Sequence, residues 1–189
     1  MHYIPETEAE KHLGGNTIGG NPQTFYPELW AWMVKRLEVK SVLDVGCGEG
    51  HALAEFRRLG CEILGIDGAL RNVHLANHKV GAAVVWDLTE SYCPNRSDLA
   101  WCCEVMGQIE EQYVDNVIKT LVQGRYLALT HQLPGQQGYH IVNGHPPEYW
   151  IEKLKAAGME LDAALTAESK QYAGYYWAKT GMIFRRAKA

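Results

Sequence analysis

Between Thr24 and Leu37 apolar residues recur at helical spacing, with Phe25, Leu29, Trp30, Met33, Val34 and Leu37 on one stripe. The pattern then changes to short apolar runs separated by amphipathic stretches. Ser41 to Leu43 reads as a buried strand, His51 to Leu59 as a helix, and Cys61 to Gly68 as a strand ending in an acid. Ala69 to Lys79 predicts a helix, Ala82 to Trp86 a third strand, and the run from Asp98 a fourth. Tyr113 to Val122 carries Val114, Val117, Ile118 and Leu121 at helical spacing, and Arg125 to Thr130 is a fifth strand. Pro147 suits the first turn of a helix from Glu148 to Ala157, which Gly158 closes. Met159 to Ala163 and Tyr175 to Arg185 predict an antiparallel edge hairpin. In it Tyr172, Tyr175, Tyr176 and Trp177 serve the core and the edge strand. Strands that alternate with helices indicate an α/β chain.

Composition narrows this picture. The 189 residues suit one domain, with 47% apolar and 21% charged residues. No internal repeat or second domain is evident. Residues 1–22 are polar and glycine-rich and form an N-terminal arm or lid, composition favouring the arm; the domain proper is 23–189. A net charge of −4 argues against a broad nucleic-acid footprint. The five cysteines, Cys47, Cys61, Cys93, Cys102 and Cys103, form no C-x-x-C pair and read as buried free thiols of a reducing compartment. With no signal-like start and no membrane-spanning run, the expected location is cytoplasmic.

The candidate chemistry begins at Asp44-Val45-Gly46-Cys47-Gly48-Glu49-Gly50. This strand, glycine turn and helix start departs from the dinucleotide fingerprint: the third glycine comes one residue early, and an aspartate sits two residues before the first. An acid under the turn repels a diphosphate and suits the amine and sulfonium of S-adenosylmethionine. Asp67 follows about 20 residues on, the separation at which a carboxylate meets an adenosine ribose in βαβ folds. These residues resemble motif I and the following acid of the class I S-adenosylmethionine-dependent methyltransferases. The resemblance implies a doubly wound Rossmann-like, seven-stranded mixed sheet of order 3-2-1-4-5-7-6 with helices on both faces. It also implies S-adenosylmethionine contacts at Asp44, Gly46, Cys47, Gly48, Asp67 and Gly68, and at Asp87 and Leu88 for the adenine. Cys103 and Glu104 follow at the methyl, in a stretch similar to motif IV.

One departure stands out. Where many relatives carry Glu-His, this chain has Gly107-Gln108, a pair that disfavours a metal site. A long loop, Gln132 to Pro147, resembles a His-x-x-Asn…Tyr-Trp loop in a subset of the family, some from phage. His131 and His140 are the candidate bases, because histidine titrates near working pH and both lie past the fifth strand. The expected reaction is methyl transfer to a small-molecule acceptor, at a hydroxyl. The alternatives are a nucleic-acid or protein methyltransferase and a non-catalytic S-adenosylmethionine-binding protein. Amine-methylating DNA enzymes carry an Asp/Asn-Pro-Pro-aromatic motif after the fourth strand; Cys103-Glu104-Val105-Met106 stands there instead.

Overall fold

The computed structural model describes residues 2–3, 12–13 and 16–187. Seven strands form one sheet: β1 (Ser41–Val45), β2 (Glu62–Asp67), β3 (Ala83–Val85), β4 (Ser97–Cys102), β5 (Gly124–Leu129), β6 (Met159–Leu161) and β7 (Met182–Arg186). Their order is 3-2-1-4-5-7-6. The first five run parallel, and β7 enters antiparallel between β5 and β6, in register from Tyr126 opposite Arg185 to Leu129 opposite Met182. A two-residue antiparallel ribbon, His2–Tyr3 with Asn16–Thr17, precedes the sheet.

Side chains alternate across the central strands, so a near-continuous apolar run buries both faces. Leu43, Val45, Ala100, Cys102, Leu127 and Leu129 pack with helices α4 (Val114–Leu121) and α5 (Pro147–Ala156). Val42, Leu99, Trp101, Ala128 and Ile183 pack on the other side against α1 (Pro27–Leu37) and Phe56 of α2 (His51–Arg58). Leu165 of α6 (Ala163–Ser169) and Trp177 of α7 (Tyr175–Thr180) complete that layer. Helix α3 (Leu70–Val80) packs with α2 through Val73, Ala76 and Leu53. No described helix is long and apolar enough to cross a membrane.

Two expectations are corrected. Tyr175 to Arg185 is not one strand: its first half is α7, and only Met182–Arg186 joins the sheet. Trp177 is fully buried, stacked on Trp101 with ring centres 5.2 Å apart, and its indole donates to Ser169 Oγ at 2.9 Å. That anchorage outweighs the β preference of a Tyr-Tyr-Trp run. Helix α6 was not anticipated; Asp162 caps it by accepting from the Leu165 amide at 3.0 Å. The first helix starts at Pro27, after a single 3-10 turn at Pro22–Thr24. All five cysteines are free, and four are buried.

Candidate active site

A cavity of about 560 Å³ opens above the carboxyl ends of β1 to β5, where ligands bind in open α/β sheets. Asp44, Gly46, Cys47, Gly48, Asp67, Gly68, Asp87, Leu88, Cys103 and Glu104 all line it. The glycine turn follows β1 with positive φ at Gly46 (73°), Gly48 (52°) and Gly50 (76°). A side chain at Gly46 would collide with Val105 Cγ2. The turn amides are less open than the sequence suggests. Those of Gly46 and Cys47 donate to the Ile66 carbonyl, and that of Gly48 donates to Asp67 Oδ2 at 2.9 Å. The turn is therefore a rigid ledge tied to β2.

Three carboxylates stand along this ledge. Asp44 is 3% exposed, and burial, then the neighbouring Asp67, pushes its pKa up to about 8. Among the described residues no cation faces it. Burial also raises Asp67, although the Ala69 amide, Asn72 Nδ2 and the Gly48 amide all donate to it. A carboxylate has about four acceptor positions, so the three bonds leave room for one more. Beside it, the buried Asn72 Oδ1 has no partner and Asn72 lines the same cavity. Asn72 was not foreseen; a buried polar residue on the apolar stripe of α3 was the available signal. A cavity with unneutralised buried acids and an orphaned acceptor fits a cationic ligand that carries hydroxyls.

Asp87 accepts from the Thr89 amide and hydroxyl and from His12 Nε2 at 2.9 Å. Burial opposes ionisation, but these bonds hold its carboxyl below the usual range. Leu13 covers Gly68, the Gly19 amide donates to Glu49 Oε1 at 3.0 Å, and Gly20 lies against His51. Part of the 1–22 segment lies outside the described residues; 12–13, 17 and 19–22 all line the cavity.

The far wall comes from the ends of β4 and β5, from the long loop after β5 and from α7: Glu104, Gln108, Gln132, Tyr139 and Tyr176, with Trp30 and Trp101 behind. Glu104 has a left-handed backbone, φ 60°. Thr130 Oγ1 donates to its Oε1 at 2.8 Å, and Gln132 Nε2 to its Oε2 at 3.2 Å. The Gly107 amide fixes the Gln132 side chain by donating to Oε1 at 2.5 Å. Any side chain at position 107 would strike Gln132, which gives this departure from the family pattern a packing reason.

His131 and His140 do not line the cavity. His131 is 1% exposed and sits near Trp150 of α5, ring centres 6.5 Å apart, with its Nδ1 3.3 Å from the Gln132 carbonyl and its pKa lowered by burial. Side chains alternate past the strand end: Thr130 points to Glu104, so its neighbour points to α5. His140 has φ 51° and a buried Nε2 without a partner. His145 stacks on Tyr149 at 3.7 Å. The loop is pinned instead by its backbone, the Val142 and Asn143 amides donating to the Gly107 carbonyl and the His145 amide to that of Gln132. His131→Ala should therefore lower the melting temperature by several degrees while the turnover of the folded protein stays within about threefold of wild type. Thermal unfolding beside steady-state rates checks this, and a hundredfold rate loss in a well-folded variant would restore His131 as the base.

The methyltransferase-domain family model matches residues 22–162. A search of curated proteins finds no match. Among solved structures, a TehB-like S-adenosylmethionine-dependent methyltransferase from Corynebacterium glutamicum is similar at 19% identity and TM-score 0.62, over 89% of this chain and 90% of that one. The sugar N-methyltransferase KedS8 from Streptoalloteichus sp ATCC 53650 shares 14% identity at TM-score 0.69, covering 89% of each chain. CalS10, an amino pentose methyltransferase from Micromonospora echinaspora solved with bound S-adenosylmethionine, shares 15% at TM-score 0.69, over 88% of this chain and 93% of that one. The family match spans most of the chain and the sheet order agrees with it, so the protein belongs to the methyltransferase-domain family, class I in fold.

Proposed function

We propose that this enzyme methylates a small molecule that reaches the cavity uncharged or as a cation, over the ends of β4 and β5. One observation carries the reading: five acids, Asp44, Glu49, Asp67, Asp87 and Glu104, line the cavity, and no lysine or arginine of the described residues does. An anionic acceptor, including a nucleic-acid phosphate, would meet carboxyl groups on this lining and no lysine or arginine of the described residues to pair with. Asp44 and the turn Gly46–Gly48 would hold the amino-acid end of the cofactor, with Cys47 beneath. Asp67, with Gly68, and the unpartnered Asn72 Oδ1 would share the ribose hydroxyls. Asp87 and Leu88 would meet the adenine, and Cys103 and Glu104 would border the methyl. The cofactor supplies an electrophilic methyl on a cationic sulfur. The protein's part is alignment and exclusion of water, to which the aromatic wall of Trp30, Trp101 and Tyr176 contributes. Residues 12–13 and 16–22 would act as a lid over the ribose and adenine, a reading supported by the His12–Asp87 bond and the cover of Leu13 on Gly68.

The expected hydroxyl acceptor relied on a histidine base, and neither candidate lines the cavity. A hydroxyl acceptor would have to give its proton to another group on the far wall. Titration of the protein with S-adenosylmethionine and S-adenosylhomocysteine, with NAD as control, tests the donor half. Micromolar binding is expected, weakened about tenfold or more in Asp67→Ala as hydrogen bonds to a charged group are lost. Equal binding of NAD, or an unaffected mutant, would overturn the assignment.

A further inference from the structure

We infer that the acceptor is an amine that arrives as an ammonium ion, and that the Glu104 carboxylate binds it and takes its proton. The inference deepens the proposed function and rests on it. Glu104 borders the cavity at the end of β4, half-buried, and among the described residues no cation pairs with it. Its two hydrogen bonds, one to each oxygen, leave about two acceptor positions. They also fix the side chain from behind: Thr130 Oγ1 on one oxygen and Gln132 Nε2 on the other. The Gln132 amide cannot turn over, because the Gly107 N–H already requires its oxygen on the other side.

The backbone bears a cost to put the carboxylate there. A non-glycine residue at φ 60° is disfavoured by about 1–3 kcal/mol and persists where surrounding structure imposes it. Glu38 shows the same conformation for an ordinary reason, capping the end of α1. Glu104 caps nothing; its amide donates to Thr130 Oγ1, the hydroxyl that donates in turn to its own carboxylate.

The other titratable groups that interact with Glu104 are Tyr26 at the start of α1 and Cys102 and Cys103 at the end of β4. Burial raises all three, so they stay neutral near pH 7 and leave Glu104 as the acid of this wall. Burial raises the Glu104 carboxyl as well, toward the range useful for proton transfer. An ammonium both neutralises and hydrogen-bonds a carboxylate that no cation pairs, whereas an alcohol can only hydrogen-bond it. Proton transfer from R–NH3+ to Glu104 gives R–NH2 and a neutral carboxyl. The freed nitrogen lone pair then forms the N–CH3 bond as the S–CH3 bond of the donor breaks, its electron pair remaining on sulfur. The methylated ammonium leaves and Glu104 returns its proton to solvent.

The test uses protein saturated with S-adenosylhomocysteine and matched probes: glucosamine against glucose, serinol against glycerol, and cyclic amines against the corresponding alcohols. Ligand-observed NMR should show the amines binding at least tenfold more tightly than the hydroxyl partners. Glu104→Gln should lose that preference while keeping S-adenosylhomocysteine affinity within about twofold. With an amine that turns over, the variant should lose about a hundredfold in kcat/KM at pH 7 and recover as pH rises through the amine's own pKa. A merely structural Glu104 would lower stability without changing amine selectivity or the pH profile. Absence of an amine preference in the wild-type protein overturns the inference without any variant. Failure of S-adenosylhomocysteine to bind would instead sink the donor assignment.

Discussion

Asp44→Asn is expected to weaken cofactor binding at least a hundredfold and, in the empty protein, to raise stability. The carboxyl is 3% exposed, and its pKa is pushed up to about 8 by burial and then by Asp67. The folded chain therefore holds a proton there that the unfolded chain releases near pH 4. Between those values the folded state binds more protons, so stability falls as pH rises through the window and levels off above about 8. Asparagine stays neutral throughout. Its melting temperature should exceed wild type by several degrees at pH 7 and by little near pH 4. Binding moves the opposite way. A cationic ligand draws the proton off Asp44, so association at pH 7 releases protons and affinity climbs with pH up to about 8. Removing the carboxylate should cost at least a hundredfold, on the order of 3 kcal/mol, as for a desolvated charge pair. Calorimetry in buffers of different ionisation enthalpy, beside thermal unfolding from pH 4 to 9, measures both halves. A variant that still binds, or loses stability at pH 7, would show that Asp44 is an ordinary core residue.

Gly107→Ala should damage the far wall and spare the donor half. The added methyl would meet the Gln132 side chain, with Cβ at 2.6 Å and Cδ at 2.7 Å. Gln132 is 1% exposed and has little space to retreat. Displacing it breaks the bond from the Gly107 amide and the support of Glu104, and it disturbs the carbonyl that receives Val142 and Asn143. Overpacking of this kind costs about 1–3 kcal/mol, a fall of several degrees in melting temperature for a chain of this size. Turnover should drop at least tenfold while S-adenosylhomocysteine affinity stays within about twofold. An unchanged rate would mean that Gln132 does not position Glu104.

The near wall of the cavity, proposed for the donor, was legible as a set of lining residues because its signals are local. Asp44, Asp67 and Asp87 each end a short apolar run, and the glycines beside Asp44 mark a turn that few other structures require. The sheet order followed from the resemblance those residues carry. The far wall was not legible, because its decisive contacts join residues 25 or more positions apart: Gly107 with Gln132 and Glu104 with Thr130. His131 illustrates the limit. Its place after a strand suggested the cavity, and the opposite face follows from counting one residue back to Thr130. The Asp162 cap and the alanines behind it announced α6, but the edge-hairpin reading covered them. At Tyr175–Thr180 the local preference itself misled, since stacking of Trp177 on Trp101 decides the conformation from across the sheet.

The reversed strand β7 divides the cavity lining along the chain. Because it runs against β5, its leading end lies beside the exit of β5, with Met182 opposite Leu129, and the preceding helix delivers Tyr176 to the ligand edge. A parallel strand would have left that helix at the opposite end of the sheet. Four of the five acids on the cavity lining thus lie between Asp44 and Asp87, and most of the far wall lies beyond Cys103. A change beyond Cys103 can therefore reshape the far wall of the cavity while the glycine turn and the acids beside it stay in place.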